Sequence, residues 1–125
     1  MILDTNALSA LADGSTAFEA AAAGVSRFAI PAIVLGEFHF GILRSRQRAR
    51  YEEWLTELVG VSRVLSVDEQ TAVHYAELSE QLRRRGRPIP SNDAWIAALG
   101  LQYALAVFSR DAHFDEVAKL VRISW

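Results

Sequence analysis

Residues 1–6 read Met1-Ile2-Leu3-Asp4-Thr5-Asn6, three apolar residues followed directly by an acid and two small polar residues. The apolar triplet suits a short buried strand, and Asp4 stands where that strand must end. Asp4 is therefore either a turn or cap residue closing the strand, or a charge wanted at that place. An acid at position four also breaks the basic-then-apolar pattern of a secretory signal.

Downstream, strand-like and helix-like stretches alternate. "ALSALADG" and "STAFEAAAAG" read as short helices stopped at Gly14 and Gly24, and "RFAI" as a second strand ending at Pro31. "AIVLGEFHFGILRSRQ" and "RARYEEWLTELVG" have helical spacing, and "SRVLSV" is a third strand. Ser66 with Glu69 suggests a capping box before "EQTAVHYAELSEQLRRRG", a helix with Ala72, Tyr75, Ala76, Ser79 and Leu82 on one stripe and a stop at Gly86. "SNDAWIAALGLQYA" is another helix, with Trp95, Leu99 and Tyr103 in register. "LAVF" is a fourth strand, "DAHFDEVAKL" a short helix and "VRISW" a fifth strand.

This alternation predicts an α/β domain with a parallel sheet covered by helices on both faces. A chain of 125 residues suits a single domain, 1–125. Apolar residues make up 51% and charged residues 22%, a globular balance. No apolar run reaches the ~18 clean residues of a bilayer span, since Gln102 interrupts the longest. There is no cysteine, which excludes disulfides, thiol catalysis and cysteine-bound zinc and suits a reducing cytoplasm. The net charge of −2 gives no global basic field. Arginines do cluster at Arg44, Arg46, Arg48 and Arg50 and again at Arg83, Arg84, Arg85 and Arg87, as solvated helix ends or as local phosphate contacts.

Parallel sheets bind ligands outside the carboxyl ends of their strands, where strand order reverses. With order 3-2-1-4-5 that point lies between strands one and four, bringing Asp4 toward Asp111 just past "LAVF". Glu37 lies in the first turns of an apolar helix, near Val34, Phe38 and Phe40, where an unpartnered carboxylate is costly. Asp93 opens the helix after "PIPSN". Each acid has a plain structural role available: caps at Asp4 and Asp111, a helix-dipole contact at Asp93, an arginine partner for Glu37. Gathered on one rim, however, two carboxylates ~4 Å apart repel by about 4 kcal/mol at an effective dielectric near 20. A divalent cation reverses that balance. Oxygen ligands, with no histidine expected in the cluster, favour Mg²⁺ or Mn²⁺ over zinc. The chemistry that follows is phosphoryl hydrolysis, with metal-activated water attacking phosphorus.

With "LDTN", "IPAIVLGEFHFGI", "NDAWIAA" and "FSRDAHF" in this order, the sequence resembles PIN-domain ribonucleases, more closely the VapC-type toxins of bacterial toxin–antitoxin pairs. The resemblance implies a three-layer α/β/α domain with sheet order 3-2-1-4-5, a homodimer, Mg²⁺ or Mn²⁺ dependence and endonucleolytic RNA cleavage. It also implies Asp4, Glu37, Asp93 and Asp111 as the metal-binding acids, with Ser109 and Asn6 in supporting positions and Asp115 outside the set. A cognate antitoxin protein is implied as partner, its terminal segment blocking the acidic pocket; the helices around "FEAAAAGV" and "RARYEEWLTELVG" are candidate grooves for it.

His39, His74 and His113 show no ligand-like spacing. His113 is expected at the rim while Phe114 packs, and Trp54, Trp95 and Trp125 are read as core or interface residues. Asn6 stands where dehalogenase-type phosphatases carry a second aspartate. There is no Gly-rich phosphate loop and no nucleophile elbow. The competing reading is a catalytically inactive module that binds RNA or a partner protein.

Overall fold

The computed structural model describes all residues 1–125. Five short parallel strands form one sheet in the order β3-β2-β1-β4-β5: β1 Ile2–Leu3, β2 Ala29–Pro31, β3 Arg63–Leu65, β4 Val107–Phe108 and β5 Arg122–Ile123. Helices flank the sheet in an α/β/α arrangement: α1 Thr5–Ala12, α2 Thr16–Ala21, α3 Ala32–Ile42, α4 Arg48–Gly60, α5 Glu69–Arg84 and α6 Ser91–Tyr103. The central strands are continuously apolar because both faces are covered. Ile2, Leu3, Val107 and Phe108 are fully buried. Ile2 pairs with Ala29 on one side and Val107 on the other, which sets β1 in the middle.

Phe18 anchors α2 in this core, with ring centroids 5.2 Å from Phe108 and 5.1 Å from Trp125. Ser15 caps α2, accepting from Phe18 N at 3.3 Å. Phe38 packs α3 against α4 through Tyr51 and Trp54, at 6.0 and 5.9 Å.

Four local expectations are corrected. The helix expected through Gln47 ends at Ile42, where Ser45 takes over: its backbone N–H donates to Ile42 O and its hydroxyl accepts from Gln47 N at 3.1 Å. The capping box of α5 is built by Asp68 and Thr71, not by Ser66 and Glu69. Asp68 accepts from Thr71 N at 3.0 Å, and Thr71 Oγ1 accepts from Asp68 N at 3.0 Å. Thr71 also donates to Gln102 Oε1 on α6 at 2.5 Å. That pin turns the helix, so Thr71, Leu78 and Leu82 are buried and Ala72 and Ala76 of the expected stripe face solvent. Gly86, at φ +68°, ends α5 in the left-handed conformation that glycine adopts without strain. The helix expected over 111–120 is a single 3-10 turn, Ala112–Glu116, with Asp111 as its cap.

Candidate active site

The carboxyl edge of the sheet carries Asp4 after β1 and Ser109 and Asp111 after β4, and α6 brings Asp93 in its first turn. Asp4 is only 5% exposed, an unusual burial for an aspartate. It closes β1 by donating its backbone N–H to Phe108 O at 3.1 Å, and its side chain caps α1 by accepting from Thr5 N at 2.7 Å. Its second oxygen accepts from the Ser109 hydroxyl at 2.7 Å and from Asn6 Nδ2 at 3.2 Å. One oxygen thus fills the capping role, and the other is left to Ser109 and Asn6.

Ser109 is fully buried and is the junction of the two strand ends. Its hydroxyl donates to Asp4 and accepts from Asp111 N at 2.9 Å and from Asn6 Nδ2 at 3.3 Å. Asn6 spans the same gap, its Oδ1 accepting from Arg110 N at 3.1 Å. Both supporting residues expected from the sequence thus tie the loop after β4 to the loop after β1.

Burial raises the pKa of Asp4, opposed by the bonds from Ser109 and Thr5 and reinforced by the charge of Asp111. Asp93 is raised for the same leading reason; its bond to His113 opposes the shift, and the charges of Asp4 and Asp111 add to it. The neighbouring aspartate charges thus penalise ionisation of Asp4 and Asp93.

Histidine was not expected here, and His113 corrects that. Its Nδ1 lies 3.0 Å from Asp93 Oδ2, in hydrogen-bonding geometry, and 2.9 Å from Asp111 Oδ1, so a proton on Nδ1 has a carboxylate to donate to. The bond to Asp93 is the main cause of a raised imidazole pKa, with the charge of Asp111 adding to it. Ligand atoms of Asp93, Asp111 and His113 all lie within 4.8 Å of one another. The signal in the sequence was proximity: Asp111 and His113 flank one residue of the 3-10 turn, and Phe114, fully buried, holds that turn against the core. His113 does stand at the rim, as expected, but it is engaged there.

Glu37 stands apart from this group. It is half-buried on α3 and lines a hollow of about 290 Å³ together with Thr5, Ser9, Asp13 and Tyr51. It joins none of the ion pairs, which removes the arginine-partner alternative. The hollow adjoins Asp4 through Thr5, whose Oγ1 is buried with no hydrogen-bond partner. The structure therefore brings Asp4, Asp93 and Asp111 together and leaves Glu37 beside them.

Several of the remaining charges are paired locally. Arg83 and Arg84 pair with Glu80 at 2.7 and 2.9 Å, Arg87 with Glu116 at 3.2 Å, and Arg48 with Glu52 at 2.8 Å. Asp115 is held by Arg122 at 2.8 Å, outside the site as expected. Arg110 lies over the Trp125 ring at 4.8 Å. Trp95 stacks on Tyr75 with centroids 3.9 Å apart, a helix–helix contact between α5 and α6.

A five-stranded sheet of this order, with acids gathered at the carboxyl edge between its first and fourth strands, defines a class: the chain belongs to the PIN-domain family, whose model matches residues 1–120. Within that class its relatives include ribonucleases named VapC. Ribonuclease VapC5 of Mycobacterium tuberculosis is 31% identical over 115 residues, covering 90% of this chain and 84% of that protein. Ribonuclease VapC1 of Haemophilus influenzae is 33% identical over 86 residues, 69% of this chain. That match spans only 60% of the Haemophilus protein's own length. Among solved structures, VapBC-5 of M. tuberculosis, described as a member of the VapBC family of toxin–antitoxin systems, superposes with a TM-score of 0.75 at 28% identity. The superposition covers 99% of this chain and 97% of that one.

Proposed function

We propose that this chain is an endoribonuclease that hydrolyses RNA phosphodiesters using a divalent cation, Mg²⁺ or Mn²⁺, and that it is the toxin of a toxin–antitoxin pair. The observation that carries the reading is the trio Asp4, Asp93 and Asp111. They share one rim, two of them have pKa values raised by burial, and the only side chain that forms an ion pair with them is a half-exposed histidine. Such a group destabilises the metal-free fold and suits an oxygen-seeking cation. In the proposed set Asp4, Asp93 and Asp111 would hold the cation, with Glu37 contributing from the adjoining hollow beside Thr5. A bound cation supplies the positive charge that activates water and offsets the phosphate and the leaving oxygen. Ser109 and Asn6 keep Asp4 aimed, since each donates to the oxygen that does not cap α1.

The partner reading is supported by charge and shape. A negatively charged recess favours an inserted arginine from an antitoxin. A trough between α1 and α4, lined by Ala12, Asp13, Gln47, Arg50, Tyr51 and Trp54, offers half-buried aromatics to an adjacent segment. Only the α4 half of the groove expected from the sequence lines this trough. A homodimer is supported by the C-terminal end of α3 and its cap, where Phe40 is 79% and Leu43 49% exposed. No helix is long and apolar enough to cross a membrane, and the cytoplasm is the proposed location.

The test is direct. Protein freed of any antitoxin is incubated with total RNA, with Mg²⁺ or with chelator, and the new ends are sequenced. Discrete cation-dependent cuts are expected. RNA binding without cleavage in any divalent cation overturns the enzyme reading in favour of the non-catalytic module.

A further inference from the structure

We infer that His113 is itself a ligand of the cation, making this centre a mixed oxygen–nitrogen site that selects Mn²⁺ over Mg²⁺. The inference rests on the divalent-cation reading of the same rim. Its own evidence is the position of Nδ1, 3.0 Å from Asp93 Oδ2 and 2.9 Å from Asp111 Oδ1. Neighbouring ligands of an octahedral ion with bonds of about 2.1 Å are separated by about 3.0 Å, so the ring nitrogen already stands at a ligand's distance from both carboxylates. A cation at this position would compete with a proton for the same ring nitrogen.

The ring is held where this requires. Asp111 Oδ1 accepts from the backbone N–H of His113 at 2.9 Å, which fixes the turn, and the buried Phe114 anchors the next position. With 48% of its side chain exposed, His113 leaves the outer side of the centre open to substrate and water. Nitrogen donors discriminate against Mg²⁺, which demands hard oxygen ligands and releases water reluctantly, more than against first-row transition ions. Mn²⁺ is the hardest of those ions and accepts carboxylate and imidazole together.

The experiment uses the full chain, with Mn²⁺ or Mg²⁺ alone as probe and no RNA. Binding of each ion is measured calorimetrically for wild type and His113→Asn, which keeps a polar atom near the Nδ1 position without the nitrogen ligand. Pulsed EPR of the Mn²⁺ complex reads nitrogen coupling from a directly bound imidazole. Expected are nitrogen modulation in wild type, its loss in the variant, and a fall of about tenfold in the Mn²⁺-to-Mg²⁺ affinity ratio. Far-UV circular dichroism confirms that the variant is folded; should it not be, the wild-type EPR spectrum decides alone. Mn²⁺ bound without nitrogen modulation overturns the role of His113 and leaves the cation reading standing. No Mn²⁺ bound to wild type overturns the cation reading, and this inference with it.

Discussion

Replacing Asp93 by Asn separates the demands of stability from those of function. The ligand atoms of Asp93 and Asp111 lie within 4.8 Å, and at an effective dielectric near 20 two full charges at that distance repel by about 3.5 kcal/mol. With the side chains 16% and 33% exposed, solvent screening reduces this figure. Against it stand the charge on the bond to His113, worth about 1–2 kcal/mol beyond a neutral bond, and the contact with the N-terminal dipole of α6, about 0.3–1 kcal/mol. In chelator, Asp93→Asn is therefore expected to match wild type or exceed it by up to about 1–2 kcal/mol in urea denaturation. Because the folded-state pKa of Asp93 is raised, ionising it opposes folding. The variant's advantage therefore appears only as pH rises from the ordinary aspartate range through that raised value.

Divalent cation reverses the order. At a hundred times its Kd, Mg²⁺ or Mn²⁺ stabilises wild type by about 2.7 kcal/mol, and the variant by much less. RNA cleavage by the variant falls at least about a hundredfold. Equal stabilisation of both proteins by the cation would refute the reasoning. So would full activity in the variant, or its loss of more than about 2 kcal/mol in chelator, which would make Asp93 a structural residue.

Ser109→Ala removes the hydroxyl joining Asp4, Asn6 and Asp111 N; stability should drop by about 1–3 kcal/mol, read by thermal or urea unfolding, and cleavage should fall with it. Glu80 has its pKa lowered to about 2 by Arg83 and Arg84, so its pairing supports the fold above the ordinary glutamate range and is lost as pH falls to about 2. Glu80→Gln should therefore show a small deficit at neutral pH that closes on acidification, with no change in cation binding. A Cβ on Gly100 would meet Leu120 Cδ1 at 2.6 Å and the Leu105 carbonyl oxygen at 3.2 Å. Leu120 can swing away, but the carbonyl cannot, so Gly100→Ala should cost about 1–2 kcal/mol in urea denaturation and leave the acidic rim unaffected.

The sequence by itself determined the order of elements and the residues at the strand ends. Apolar runs must be buried, and an acid cannot continue a core strand, so Leu3-Asp4 and Phe108-Ser109 were legible as strand exits. The sheet order then followed from alternation and family likeness, and with it the meeting of Asp4 and Asp111. What the tertiary structure decided were matters of direction. The burial stripe of α5 depends on Thr71 being drawn to Gln102 across a helix–helix contact, which no local period encodes. The place of Glu37, beside the trio and not within it, is set by how α3 packs against α1, where it shares a hollow with Thr5 and Ser9. His113 looked unremarkable because ligand spacing in sequence presumes a regular helix. A 3-10 turn capped by Asp111 aims the ring between two carboxylates, and one of these arrives from a helix twenty positions earlier. Hydrophobic pattern reports which side of an element is inside; only the packed chain sets where a polar side chain points.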